Sequence, residues 1–290
     1  MTDKPTQILV RISGGLGNQL FQFVAGLHLA QKLAKAEIKL DLRFLSNYQS
    51  PRSFELDFLL KYFPFVTAHQ EGLGFLGVVS KLRIARLLTT QLFGTALVSD
   101  QKSLDYINFS RLKYAVLDGY FQDPKLLMTA TLKTTLLQKL KMDYEYLKTK
   151  TSNTNLDKKV SIHIRRGDYV SSPAGIREFL AIDLDYYRKA IQKFPCDTLF
   201  YVFGDDAELV DSFAKEINAV NVPDLKLTLQ EEFVLIADST GYIIANSTLS
   251  WWAAFLGYSE GKRVISPSKW FVDDVRNQVN GLQLNYFELV

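Results

Sequence analysis

Short apolar runs alternate with helix-periodic stretches along almost the whole of this 290-residue chain, and that alternation narrows the available folds more than any other feature. Strand, helix and strand in repeated succession is the pattern of a parallel sheet covered by helices. Ile8 to Ile12, Ile38 to Leu42 and Tyr114 to Leu117 read as strands of the first half. A helix runs from the glycine turn after Ile12 to Lys35, with Leu20, Val24, Leu27 and Gln31 on one stripe and Phe23, Leu27, Ala30 and Ala34 beside it. Another is expected from Lys125 to Lys148. In the second half the strands are Val160 to Ile164, Thr198 to Phe203, Lys226 to Leu229, Tyr242 to Ala245 and Arg263 to Ile265. The helices between them cover Asp183 to Lys193, Ala207 to Ile217, Glu231 to Ala237 and Leu249 to Tyr258. The polar stretch Thr149 to Lys159 separates the halves, so two domains are expected, 1–150 and 151–290. Residues 55 to 95 give no clear reading.

Composition removes several function classes. The net charge of +3 is slight, with no basic face for nucleic acid and no acidic tail. Cys196 stands alone, so neither an intrachain disulfide nor a cysteine-rich metal site is available, and a reducing, cytoplasmic setting fits. Met1 to Gln7 is polar and lacks the apolar core of a secretion signal. Even the most apolar region, Tyr242 to Tyr258, is interrupted by Asn246, Ser247, Thr248 and Ser250, so no transmembrane segment is expected. Lys81, Arg83 and Arg86 among Leu82, Ile84, Leu87 and Leu88 admit a peripheral contact with an anionic membrane; an ordinary amphipathic helix is the competing reading.

Four constellations carry chemistry. Val160 to Ile164 ends in Arg165-Arg166-Gly167-Asp168-Tyr169, and charge at the carboxyl end of a strand faces the ligand crevice of an α/β sheet. Planar guanidiniums suit a diphosphate through paired hydrogen bonds. Strand alternation puts His163 and Arg165 on one side and Arg166 on the other, which favours Arg165 as the phosphate ligand. The plainer alternative is an ion pair of either arginine with Asp168. Gly14-Gly15-Leu16-Gly17-Asn18-Gln19 opens a helix but lacks the third glycine of a dinucleotide fingerprint, leaving a tight turn or a polar helix start that holds sugar or phosphate. Ala245 to Ser250 passes from strand to helix through hydroxyl and amide groups, which is an anion site by geometry unless Asn246 or Ser247 simply caps the helix. Phe203-Gly204-Asp205-Asp206 offers either paired ligands or one more cap. His28, His69 and His163 are too scattered for a zinc site, and Trp251 and Trp252 read as core anchors.

Together with Gly119-Tyr120-Phe121-Gln122, these runs resemble the inverting, GDP-fucose-dependent α-1,2-fucosyltransferases of glycosyltransferase family 11, and more weakly the α-1,6- and protein O-fucosyltransferases. The resemblance implies a GT-B architecture, two Rossmann-like domains facing a central cleft, with GDP-fucose held by the second and the acceptor by the first. It assigns the donor to His163, Arg165, Arg166, Asp205, Ser247, Thr248, Ser250, Gly17 and Asn18. Within that set, His163 and Asp205 would meet guanine and Arg165 the β-phosphate. Arg165, Asp168 as base and Asn18 opposite the leaving group would be catalytic, and Tyr120 and Gln122 would meet the acceptor. No metal or other cofactor is implied. Many relatives are expected to carry a small hydroxyl residue where this chain has Gly204, so that contact would pass to the backbone. The implied reaction places L-fucose on the 2-hydroxyl of a terminal β-galactoside, such as lactose or a glycan end. Another linkage, or a binding module without turnover, are the alternatives.

Overall fold

The computed structural model describes residues 4–45, 52–71, 95–100, 112–127, 134–138, 144, 145, 147 and 159–290. Two compact units emerge, Met1–Ala130 and Thr131–Val290. The polar stretch expected at the domain boundary lies almost wholly outside the described residues, as do the Lys81 to Leu88 stripe and most of the Lys125 to Lys148 helix, which begins as a 3-10 turn at Pro124–Leu127.

In the first unit, strands β1 (Thr6–Arg11), β2 (Ala36–Asp41), β3 (Val66–His69), β4 (Thr95–Val98) and β5 (Tyr114–Leu117) form a parallel sheet in the order β3-β2-β1-β5-β4. Helix α1 (Leu16–Gln31) follows β1 directly. The sequence suggested stripes reaching Gln31 and Ala34, but α1 is buried on nearly every side, Gln19 and Gln22 included, and ends at Gln31. Close packing comes from Gly26, where a Cβ would stand 2.8 Å from Val10 Cγ2. This is the helix–strand approach that the glycine turn itself does not supply. A short helix, α2 (Asp57–Leu60), completes the described elements of this unit.

The second unit holds β6 (Lys159–Ile164), β7 (Leu199–Gly204), β8 (Val220–Asn221), β9 (Gly241–Ile243), β10 (Arg263–Ser266) and β11 (Phe287–Leu289), all parallel, in the order β11-β10-β9-β6-β7-β8. The chain winds outward from β6 to one edge and then from β9 to the other, so the strand order reverses between β6 and β9. Helices α3 (Gly167–Ser171), α4 (Pro173–Glu178), α5 (Leu184–Ile191), α6 (Ala207–Glu216), α7 (Leu229–Ala237), α8 (Thr248–Gly257) and α9 (Asp274–Gln278) lie between the strands. Ile162, Ile164 and Val202 pack with Tyr187, Val210 and Phe213 of α5 and α6 on one face of the sheet. On the other face the Tyr242 hydroxyl donates to the Ala237 carbonyl of α7, and Gly257 of α8 abuts that same carbonyl so closely that a Cβ would collide with it.

The strand expected at Lys226 to Leu229 is absent. Lys226 takes the left-handed conformation (φ 51°) after a 3-10 turn, and Thr228 caps α7 in a reciprocal box with Glu231. The edge strand lies earlier, at β8.

Two tyrosines of α5 donate to carbonyls at the strand ends, among them that of Ile265, which also accepts the Ile244 N–H at 2.9 Å. Tyr186 gives its hydroxyl to the Ile244 and Ile265 carbonyls (2.7 and 3.1 Å), and Tyr187 to that of His163 (3.0 Å). Burial pushes both phenols up, so each remains a donor throughout the working pH range. Replacing Tyr186 with Phe removes the hydroxyl donor of the Ile244 carbonyl and one of the two donors of the Ile265 carbonyl, and should cost about 1–2 kcal/mol in urea denaturation. A loss within error of zero would show that the hydroxyl contributes nothing.

Candidate functional site

The second sheet reverses its order between β6 and β9, and in open α/β sheets ligands bind outside the carboxyl ends at such a point. The residues leaving those two strands are Arg165 and, after Ile244 and Ala245, Asn246 and Ser247.

Register decides what stands beside Arg165. Ile164 and Gly204 form the last rung of the β6–β7 ladder, so Arg165 and Asp205 leave their strands side by side. Arg165 Nη1 donates to Asp205 Oδ2 and Nη2 to Asp168 Oδ1, and the backbone N–H of Arg166 donates to Asp205 Oδ1 at 2.9 Å. The ion pair weighed in the sequence therefore forms, and it is double. Gly167 (φ 20°) lies against this cluster, and a Cβ there would collide with Asp205 Oδ2. Gly204 has no space for a side chain, since a Cβ would lie 2.7 Å from the Ile164 carbonyl oxygen and 2.7 Å from Val210 Cγ2. Asp206 is occupied locally, accepting the Leu209 N–H as the cap of α6.

Arg165 also stands 5.0 Å from the ring centroid of Tyr169, which stacks on Phe179. Tyr169 donates its hydroxyl to the Asn246 carbonyl at 3.0 Å, joining the β6 end to the β9 end. The Asn246 amide donates to the Leu180 and Trp270 carbonyls, at 2.7 and 2.8 Å. The Asn246 Nδ2 thus holds two loops while its buried Oδ1 has no partner among the described residues, and Ser247 at the cap position makes no side-chain cap hydrogen bond. Ser250 donates to the Ser247 carbonyl at 3.3 Å, while Thr248 opens the helix between them. The amino end of α8, where the helix carries its partial positive charge, thus receives no side-chain cap from Ser247. Trp251 and Trp252 are core anchors, as expected.

His163 follows the alternation and lies on the α7–α8 face. It is 6% exposed, and its Nδ1 has no partner. Burial pulls its pKa down to about 4, with Asp205 opposing and Arg165 reinforcing the shift, so the ring is neutral at pH 7. Sequence reading passed over Glu232, the fourth residue of α7, whose carboxyl is pushed up to about 7 by burial alone. α7 and α8 cover the face that carries His163. The available signal was an acid directly preceding the apolar run Phe233 to Ala237.

In the first unit, Asn18 lies in the opening turn of α1 and accepts the Gln122 side-chain amide at 2.9 Å. Gly17 is buried beside it. Gln19, read as a crevice group, is instead fully buried; it donates to the Gly14 and Ser53 carbonyls and accepts the Glu55 N–H, which knits the turn together. The loop that presents Gln122 is tightly specified. Gly119 abuts the Ser99 carbonyl with no room for a Cβ, and buried Phe121 holds a positive φ of 51°, a strained choice for a bulky residue. Tyr120 is left 38% exposed. The structure thus groups His163, Arg165, Arg166, Asp168 and Asp205 with Ser247, Thr248 and Ser250 at one switch point, and Gly17, Asn18 and Gln122 at another. Among the described residues no group of three or more His, Cys, Asp or Glu side chains is arranged to hold a metal ion, and no helix is long and apolar enough to cross a membrane.

Comparison with known proteins agrees with this geometry. The model for Glycosyl transferase family 11 matches residues 98–280. The O-antigen biosynthesis glycosyltransferase WbnK of Escherichia coli is 31% identical over 294 residues, covering 92% of this chain and 96% of its own. An alpha-1,2-colitosyltransferase of Escherichia coli is 30% identical over 284 residues, covering 91% and 92%. Among solved structures, the fucosyltransferase NodZ from Bradyrhizobium aligns with a TM-score of 0.50 at 11% identity, over 87% of this chain and 92% of that one. A family 9 glycosyl transferase from Veillonella parvula aligns at 0.50 and 12%, over 100% and 88%. These distant likenesses bear on the fold, which is of the GT-B class. On its family match and its relatives, the chain belongs to glycosyltransferase family 11 and is a glycosyltransferase.

Proposed function

We propose that the protein transfers L-fucose from GDP-β-L-fucose to the 2-hydroxyl of a terminal β-galactoside, inverting the transferred carbon. The observation that carries the donor half is the pairing, at one switch point, of Arg165 with the uncapped amino end of α8. Both favour a diphosphate, one through charge-assisted hydrogen bonds and the other through the positive end of the helix dipole. Neutral His163, with its Nδ1 unpartnered, and Glu232 on a helix of the same face are polar groups suited to the guanine base. A relative named for α-1,2 transfer supports the linkage.

Cleavage of the donor leaves negative charge on GDP and positive charge on the fucosyl ring. Arg165 and the amino end of α8 stabilise the leaving diphosphate without a metal. Asp168 takes the proton of the acceptor hydroxyl. The reaction is assigned to the cytoplasm on the strength of the lone, exposed and unpaired Cys196. A second donor is favoured by the same relative: colitose, which is fucose lacking its 3-hydroxyl.

GDP release from GDP-fucose and lactose in EDTA, with the product linkage read by NMR, tests donor, linkage and metal independence together. An α-1,2 product is expected, and turnover with GDP-colitose but not GDP-fucose would move the assignment to the second donor. Arg165→Ala should lower kcat/KM roughly 10²- to 10³-fold while the chain stays folded. A variant that keeps full activity would remove Arg165 from the mechanism.

His163 also makes stability depend on pH. The unfolded chain protonates it near the ordinary value of 6.5, whereas the folded chain holds it neutral down to about 4. Its contribution is therefore complete above about pH 6.5 and is lost as the pH falls toward 4, by about 3 kcal/mol in all. Denaturation midpoints of wild type and His163→Gln should draw together over that range, because only wild type carries the titration. A constant gap between them at every pH would contradict a neutral, buried His163.

A further inference from the structure

We propose that Tyr169 is a positioning residue for Arg165, its ring serving as a fixed platform that holds the guanidinium where the diphosphate arrives. The inference rests on the GDP-sugar reading above and adds one residue to it. Tyr169 lies in the short helix α3, and its backbone N–H donates to the Arg166 carbonyl at 2.7 Å, so the turn that follows the clamp delivers the ring. The Arg165 Cζ lies over that ring, 5.0 Å from its centroid. A guanidinium in this position is attracted by the ring quadrupole, the more so where water is excluded.

The ring itself is held at its tip and across its plane. Its hydroxyl donates to the Asn246 carbonyl at 3.0 Å, and burial pushes the phenol up to about 12, so the donor persists at every working pH. Phe179 stacks on the ring with centroids 4.3 Å apart and planes 5° from parallel. Phe179 is fixed in turn. A bridge pairs it with Phe271, and on either side the Leu180 N–H donates to the Trp270 carbonyl at 3.0 Å and the Val272 N–H to the Glu178 carbonyl at 3.2 Å. The platform is thus anchored both to the end of β9 and to the loop after β10.

Asp168 and Asp205 also grip Arg165. Each carboxylate has a second duty under the donor reading, Asp168 as base and Asp205 toward the guanine that the family resemblance implies, so bound substrates compete for both. Tyr169 has no such duty: it is buried, with its hydroxyl given to the backbone and its ring packed. It therefore still orients Arg165 when the carboxylates are engaged elsewhere, and a preset guanidinium removes an ordering cost from donor binding.

Calorimetry of GDP and GMP on the full-length chain tests this, with circular dichroism confirming the fold of each variant. Tyr169→Leu, which removes ring and hydroxyl, should weaken GDP roughly five- to thirtyfold and shrink the preference for GDP over GMP, because the loss acts through the β-phosphate contact. Tyr169→Phe, which keeps the ring, should cost about threefold or less. In an Arg165→Ala background, Tyr169→Leu should change GDP affinity by less than about twofold, since nothing is left for the ring to position. A ring that merely packs would weaken GDP by the same factor in both backgrounds, and that result overturns the inference. So does an unchanged GDP affinity in Tyr169→Leu, or a loss in Tyr169→Phe equal to that in Tyr169→Leu. Wild type that binds no GDP, or Arg165→Ala that binds it as wild type does, would instead defeat the donor reading, and this inference with it.

Discussion

Everything at the carboxyl edge of the second sheet depends on finding donors for its carbonyls. The edge is buried, and an unpaired buried carbonyl costs on the order of 1–3 kcal/mol. Tyr186, Tyr187 and Tyr169 supply hydroxyls to the ends of β6, β9 and β10 and to the Asn246 carbonyl, and the Asn246 amide secures Leu180 and Trp270. Because these donors come from α3, α5 and the loop after β9, the same bonds that satisfy the edge also locate Arg165 and the start of α8.

Arginine count alone would overstate the positive field at the clamp. Arg165 is matched by Asp168 and Asp205, which leaves that trio at a net negative charge. Arg166, which makes no side-chain hydrogen bond or ion pair among the described residues, restores balance. A diphosphate arriving here meets directed N–H groups more than net charge. That is the situation in which preorganised dipoles and fixed hydrogen-bond donors matter most, since they do not have to reorient as charge develops on the leaving group.

Most of the fold was legible because a buried parallel strand announces itself as a short apolar run; β5 and β6 lie almost where the sequence put them. The failures have local causes. Lys226 to Leu229 reads as alternating polar and apolar, yet Thr228 and Glu231 form a capping box that outranks alternation. The stripes of α1 extended too far because an all-round buried helix has no polar face to mark where its apolar pattern stops. At the site, alternation correctly set Arg165 apart from Arg166, since it depends only on the pleat. Asp205 was harder. Its partner is fixed by the β6–β7 register, which joins residues 40 positions apart and leaves no trace in local sequence. Glu232 was missed for the opposite reason, because a pair of acids in the first turn of a helix looks like surface until its burial is known.

The first sheet also has a switch point, between β1 and β5, and its contents suit a diphosphate less well than those of the second. Arg11 ends β1 and pairs with Asp118, which follows the last β1–β5 rung, Val10 with Leu117. On its other side Arg11 is in register with Asp41, which is fully buried and takes two hydrogen bonds from the Arg43 side chain, at 2.8 and 2.6 Å. The Phe44 ring lies 4.5 Å from the Arg11 guanidinium, so a row of alternating charge is closed from within the unit. A diphosphate placed there would displace an ion pair and meet Asp118 and Asp41. What this unit does offer at its switch point is uncharged: the Asn18–Gln122 amide pair and the exposed ring of Tyr120. Amides and an aromatic face match the hydroxyls and the apolar side of a neutral sugar, so two parallel sheets of different strand order offer one end suited to phosphate and another suited to carbohydrate.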